Sequence, residues 1–238
     1  MTALVVAGTG TGVGKTVVVA ALAALARARG ERVAVVKPAQ TGVGPGETGD
    51  LEEVRRLTGV EDLHELARFA EPLAPATAAR RAGSPGVAPA AVVAAVEALP
   101  ERDIVLIEGA GGLLVRFDAA GGTIADVAAV LRAPVLVVVR AGLGTLNEAG
   151  LAGEALRARG LACLGVVVGA WPAAPDLAAR CNLEDLPAYA RAPLLGRLPR
   201  GASGMDPPAF LAAARAGLAP ALGGAAPVVD RSPLEVHA

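Results

Sequence analysis

Apolar residues follow two spacings along this chain. Short runs dominated by Val, Leu, Ile and Ala occupy residues 3–7, 32–37, 103–107, 134–139, 161–168 and 194–198, the length and composition of strands buried on both faces. Between most of them lie longer stretches with apolar residues at helical spacing. The clearest covers residues 15–29 and ends at Gly30, a natural C-cap. Strands that alternate with helices predict a mostly parallel central sheet with helices on both sides, an α/β fold of three layers in a single domain. Residues 72–89, rich in Ala, Pro and Gly, carry helix-like pieces but are too short for a domain and read as a decorated crossover. After about residue 221 the periodicity is lost, so the expected domain is 1–220 and residues 221–238 are expected to be a loose tail. No internal repeat is evident.

Composition narrows this picture. Hydrophobic residues make up 53% of the chain and aromatics only 2%, so the core must be aliphatic, which suits helices on parallel strands better than an aromatic-rich sandwich. The 22 basic and 23 acidic residues leave a formal charge of −1, which gives no nucleic-acid surface. No stretch reads as a signal peptide, and no apolar run reaches the ~20 residues of a membrane span. Cys163 and Cys181 read as reduced thiols, so a cytoplasmic protein is expected. His64 and His237 belong to no ligand-like cluster, which argues against zinc. Of the 22 basic residues, all but Lys15 and Lys37 are Arg. A compact, mobile ammonium ion fits where a planar guanidinium fork does not, so two lysines kept in such a background point to tight anion sites.

Lys15 closes the run Gly8-Thr9-Gly10-Thr11-Gly12-Val13-Gly14-Lys15-Thr16, which follows the first strand and opens the first helix. Glycines let backbone N–H groups close around phosphate oxygens, the lysine adds a point charge, and the Thr16 hydroxyl suits Mg²⁺. The common spacing places a glycine where this chain has Thr9, but strand, glycines, Lys-Thr and helix still occur in order. A P-loop NTPase-like fold follows as the expectation. Lys37 lies at the end of the strand 32–37, just before Pro38. Strand 103–107 runs into Glu108-Gly109-Ala110-Gly111-Gly112, setting a carboxylate at the sheet edge where α/β proteins gather ligands, in reach of a Mg²⁺ at Thr16. Taken alone, Asp50 reads as a helix N-cap, Thr123-x-x-Asp126 as a capping box, and Thr145, in Gly142-Leu143-Gly144-Thr145-Leu146-Asn147, as the cap of another helix.

In order and spacing, GTGTGVGKT, the VKP that carries Lys37 with Thr41 beyond it, Asp50, EGAGGLLV and LGTLN resemble the dethiobiotin synthetase family from residue 3 to about 200. The resemblance implies an ATP- and Mg²⁺-dependent ligase of biotin biosynthesis, which closes a ureido ring on 7,8-diaminononanoate with CO₂ and releases ADP and phosphate. By matched position, Lys15 and Lys37 are its catalytic charges, and Thr16, Asp50 and Glu108 its metal ligands. Gly12, Val13, Gly14, Lys15, Thr16, Val17, Asp50, Glu108, Gly109, Ala110 and Gly111 would bind nucleotide, with Gly169, Ala170, Leu198, Pro199 and Arg200 at the base. Thr11 and Thr41 would contact substrate. Gly144, Thr145, Leu146 and Asn147 would receive the substrate carboxylate from a neighbouring subunit, since the family forms homodimers with shared sites. This reverses the capping roles read above for Asp50 and Thr145.

The chain departs from the family at Gly12, where an acid is common, at Ala74-Pro75-Ala76, where Ser-Pro-His is common, and at Gly169, where an Asn reads adenine. The last departure predicts that triphosphates other than ATP are accepted. Two other readings compete. Amide ligases with a related ATPase domain need a glutaminase domain with a nucleophilic Cys and a His, for which this chain is too short. Partition and septum-site switch ATPases carry a second lysine early in the phosphate loop, where this chain has Gly10, and often a basic face or amphipathic tail.

Overall fold

The computed structural model describes residues 2–230. In chain order the elements are β1 (Thr2–Gly8), α1 (Lys15–Ala28), β2 (Val33–Lys37), β3 (Gln40–Thr41), α2 (Asp50–Thr58), β4 (Leu63–Glu65), β5 (Arg68–Phe69), α3 (Pro75–Arg81), α4 (Pro89–Glu97), β6 (Ile104–Gly112), α5 (Ile124–Leu131), β7 (Val135–Val139), α6 (Thr145–Ala158), β8 (Cys163–Trp171), α7 (Leu177–Ala190), β9 (Leu194–Pro199) and α8 (Pro207–Gly217). Seven strands form one sheet in the order β4-β2-β6-β1-β7-β8-β9, with every neighbouring pair parallel, and β3 pairs with β5 beside it. The expected three-layer α/β fold is therefore what the chain forms.

Strand alternation divides the core in two. Leu4, Val6, Val35, Leu106, Leu136 and Val138 face α1, α2 and α8, whereas Val5, Ala7, Val36, Ile107, Val135 and Val137 face α4, α5, α6 and α7. Because both faces are covered, the strands read as continuous apolar runs rather than alternating ones. Helix α1 lies over the middle of the sheet and is buried from Val18 to Ala26, so Ala fills much of it and lets it pack closely. Strand β1 is central, between β6 and β7, and the crevice at its carboxyl end is where an α/β sheet collects ligands.

Two strands extend differently from the sequence expectation. β6 continues through the glycines to Gly112, which pairs with Gly8, and β8 starts at Cys163 and runs on to Trp171. Hydrogen bonds to neighbours, rather than apolar character, decide where each ends. The expected loose tail also differs. Leu222 is buried, Ala226 N donates to Leu218 O at 2.8 Å, and Val229 exchanges backbone hydrogen bonds of 3.0 and 3.2 Å with Leu194 at the sheet edge. Residues 221–230 thus close the β9 edge without periodicity, using turns that a hydrophobic pattern does not reveal. Residues 231–238, the rest of the expected tail, lie outside the described residues. Ending the chain at Ala221 should expose this edge and lose the burial of Leu222 and Val229, costing about 2–4 kcal/mol and lowering Tm by about 5–15 °C. A thermal melt unchanged by the truncation would contradict that account.

Candidate active site

The phosphate loop spans β1 and α1. Gly14 caps α1 with φ 97°, a left-handed conformation that glycine adopts without strain. A second constraint comes from below. A Cβ on Gly14 would lie 2.7 Å from Gly169 O, and one on Gly169 would lie 2.2 Å from Val13 O. The loop therefore rests directly on the β8 backbone, and two glycines permit that approach. Lys15 folds back so that Nζ donates to Gly10 O at 2.9 Å. Burial, followed by repulsion from Lys37, lowers its pKa to about 8.

Beyond the loop, four side chains from four elements converge. Lys37 Nζ, at the end of β2, stands 2.7 Å from Glu108 Oε1 and 2.5 Å from Asp50 Oδ2, and donates to Gly109 O at 3.4 Å. Thr16 Oγ1 donates to the same Glu108 Oε1 at 2.9 Å. Burial of the Lys37 ammonium opposes its charge, yet the attraction of Glu108 and then Asp50 outweighs it and holds the pKa above the ordinary lysine value. Burial also opposes the Asp50 charge, but Lys37 draws its carboxyl below the usual range. Glu108 is fully buried, and that desolvation pushes its carboxyl up despite Lys37.

The oxygen set suits a hard cation. Glu108 Oε2 is buried without a hydrogen-bond partner among the described residues, while its Oε1 accepts from the Thr16 hydroxyl and shares Lys37 Nζ with the Asp50 carboxylate. A buried carboxylate oxygen left unpaired is costly, and two carboxylates with a hydroxyl match Mg²⁺, which takes its other ligands from water and phosphate. The residues present fit the metal implied for them.

Thr11, Gly12, Gly14, Lys15, Thr16, Val17, Lys37, Thr41, Asp50, Glu108, Ala110 and Gly111 all line one cleft of about 500 Å³ at the carboxyl edge of the sheet. Val13 is instead a core residue beneath the loop, and Gly109 packs against Ile124 while offering its carbonyl to Lys37. Gly144, Thr145, Leu146 and Asn147 do not line this cleft. Gly144, in the left-handed region, is the α6 cap, whereas Thr145 is buried with Oγ1 unpaired among the described residues, so the capping role read for Thr145 is overturned. Asp50 is likewise not a cap. Gly49 takes that position, and the Asp50 carboxylate is free to reach Lys37.

Gly169, Ala170, Leu198, Pro199 and Arg200 lie apart from the cleft's lining. Leu198 is a fully buried core side chain, Gly169 supports the loop, and Arg200 N donates to Trp171 O at 2.7 Å. The Arg197 guanidinium sits 4.5 Å over the Trp171 ring and covers one of its faces. The sequence reading missed Gln40, which is buried in the cleft and accepts from Asp50 N at 2.9 Å, fixing the start of α2. It also missed Pro72 and Leu73 on the opposite wall. Gln40 lies three residues past Lys37, a polar side chain just after a strand end, which was the available signal.

A family model described as an AAA domain matches residues 2–207. A protein of Saccharopolyspora erythraea called ATP-dependent dethiobiotin synthetase BioD is 66% identical over 225 residues, covering 94% of this chain and 98% of that protein. A protein of the same name from Streptomyces coelicolor is 61% identical, covering 94% of each. Among solved structures, the septum site-determining protein MinD of Pyrococcus horikoshii complexed with Mg-ADP has a TM-score of 0.56 at 18% identity, covering 90% of this chain and 92% of its own. A ParA family ATPase of Chlorobium tepidum has a TM-score of 0.57 at 12% identity, covering 90% and 88%. These last two likenesses show the fold alone.

Proposed function

Because the chain belongs to the ATP-dependent dethiobiotin synthetase family, a family of ATP-dependent ligases, we propose that it converts 7,8-diaminononanoate, CO₂ and ATP into dethiobiotin, ADP and phosphate in the cytoplasm. The observation that carries this reading is the convergence of Lys37, Glu108, Asp50 and Thr16 at the mouth of the phosphate loop. In this reaction one substrate amine carries CO₂ as a carbamate. A carbamate oxygen attacks the γ-phosphorus and ADP leaves. The second amine then attacks the carbon of the mixed anhydride, closing the ring and releasing phosphate. Chemistry of this kind asks the protein mainly for position and charge. Lys15 and the loop N–H groups hold the triphosphate. Lys37 would stabilise charge on the oxygen shared by carbamate and phosphoryl group, and Thr11 and Thr41, which line the same cleft, would contact substrate. Bound Mg²⁺, held by Thr16, Asp50 and Glu108, would supply positive charge to the triphosphate oxygens. Incubation with diaminononanoate, bicarbonate and Mg-ATP should yield dethiobiotin and phosphate in equal amounts, whereas ATP turnover without that product would favour a switch ATPase.

Base choice should be loose. No side chain fits on Gly169, and one face of Trp171 is taken by Arg197, which leaves main-chain groups to read a base. Selectivity by shape is worth only ~1–3 kcal/mol, so CTP, GTP or UTP should support turnover within roughly 100-fold of ATP in kcat/KM. A preference for ATP above about 1,000-fold would refute it.

A homodimer with shared sites follows from the same reading. The α6 N-terminus does not line the cleft of its own subunit, and Leu143 beside it is 88% exposed. Leu114 and Leu151, also exposed, border a mostly apolar groove along α6, a surface suited to a second copy. Subunit exchange between an inactive Lys15 variant and an inactive Asn147 variant should restore about a quarter of wild-type activity, since half of the dimers are mixed and each carries one intact site. Full activity in a monomeric form would rule out shared sites.

A further inference from the structure

Thr9 occupies the position where the common phosphate-loop spacing has its first glycine. Nothing in the cleft uses its side chain. Instead, Thr9 Oγ1 donates to Glu148 Oε2 at 3.2 Å, across to the first turn of α6. The same Glu148 oxygen forms an ion pair with Arg140 Nε at 3.1 Å, from the residue after β7. The Arg140 guanidinium also lies alongside the loop, 3.6 Å from where a Cβ on Gly10 would stand. The Thr9 main chain is held separately, by Thr9 N donating to Val138 O at 3.0 Å.

We propose that Glu148 is a positioning residue for the phosphate loop, acting through the Thr9 hydroxyl, with Arg140 fixing the orientation of its carboxylate. The backbone bond to β7 pins only the entry of the loop. The side-chain bond to Glu148 fixes how the following residues turn, and it is these whose N–H groups must close on phosphate oxygens. A glycine at position 9 would leave that turn free. A threonine tied to a charged acceptor sets it before nucleotide arrives, and pre-organisation of this kind appears as tighter ground-state binding. The inference rests on the nucleotide-binding reading of the loop and not on the substrate, and Thr9 and Glu148 both line the groove proposed above for a second copy.

The test uses the whole chain and a non-hydrolysable ATP analogue with Mg²⁺. Glu148→Ala and Thr9→Val should each weaken the analogue's Kd about 5–20-fold, the scale of one charge-assisted hydrogen bond, with kcat at saturating ATP kept within about twofold. The double variant should be no weaker than the weaker single, because both remove one interaction. Thr9→Ser keeps the hydroxyl, and Glu148→Gln keeps an acceptor oxygen, so both should stay within about threefold of wild type. Losses that add in the double variant, an unchanged Kd, or a Thr9→Ser as weak as Thr9→Val would each overturn the proposal. So would a Kd change that appears only when subunits dissociate, as read by sedimentation. Should Glu148→Ala fail to fold, the Thr9→Val and Thr9→Ser pair decides alone. Failure of the wild-type chain to bind the analogue would refute the functional reading instead.

Discussion

Lys37→Arg is expected to lower kcat/KM for dethiobiotin formation by at least ~10²-fold, the size seen when one preorganised charge donor is lost, with the fold intact. The substitution keeps the charge, so any loss must come from shape. Lys37 is only 3% exposed, and its Nζ reaches both Asp50 Oδ2 and Glu108 Oε1 from one point. A guanidinium spreads its charge over a flat fork, and its longer reach would carry that fork past the two carboxylates into the space of the reacting groups. Overpacking of a buried site costs about 1–3 kcal/mol, which a domain with a two-layered core should withstand. Lys37→Met, by contrast, removes the charge that bonds both Glu108 and Asp50, leaving Lys15 as their remaining cation, and should also lower Tm. Steady-state kinetics together with a melt of each variant separates the two effects. Near-normal turnover in Lys37→Arg would show that charge alone is what the site needs.

The lysine pair was legible because composition isolated it, and Glu108 because an acid at the end of a buried apolar run has few structural reasons to be there. The places of the large strands along the chain were also readable, since buried parallel strands announce themselves as apolar runs, but their order in the sheet was not. Capping was not readable to the same degree. Thr123 N donates to Asp126 Oδ2 at 2.7 Å as the local spacing predicts. At Asp50 and Thr145 the same kind of reasoning misplaced the cap by one residue. In both cases the preceding glycine takes it, Gly49 in an extended conformation and Gly144 in the left-handed one. What moves Asp50 off the cap is tertiary. Gln40 holds its N–H and Lys37 draws its carboxylate, and both partners lie ten or more residues away. The two-residue strands β3 and β5 were missed for a related reason, being shorter than any hydrophobic period. Residues 221–230 were missed because main-chain hydrogen bonds, to which every sequence is entitled, hold them to β9 and α8.

Gly169→Ala should weaken triphosphate binding and turnover by ~10²-fold, although the residue itself does not line the cleft. The sequence reading took Gly169 as a base-reading position that has lost its side chain, but its surroundings give it a different task. An added Cβ would lie 2.2 Å from Val13 O, 2.7 Å from Val138 Cγ1 and 3.0 Å from Gly14 Cα. Two of these three are backbone atoms of the phosphate loop and cannot swing aside as a side-chain end would. The methyl group must lift the loop or push β8 away from it, and β8 is locked between β7 and β9. Displacement of about 1 Å in a positioning element is enough for a loss of this order. The same geometry decides the outcome for Gly169→Asn, which restores the family's adenine-reading side chain on paper. That variant should bind ATP and CTP alike more weakly, without gaining preference for ATP. Calorimetric titration of both nucleotides into wild type and the two variants would check this. A Gly169→Asn protein with tighter ATP binding would mean that the loop yields to a side chain here, and that Gly169 belongs to the base site after all.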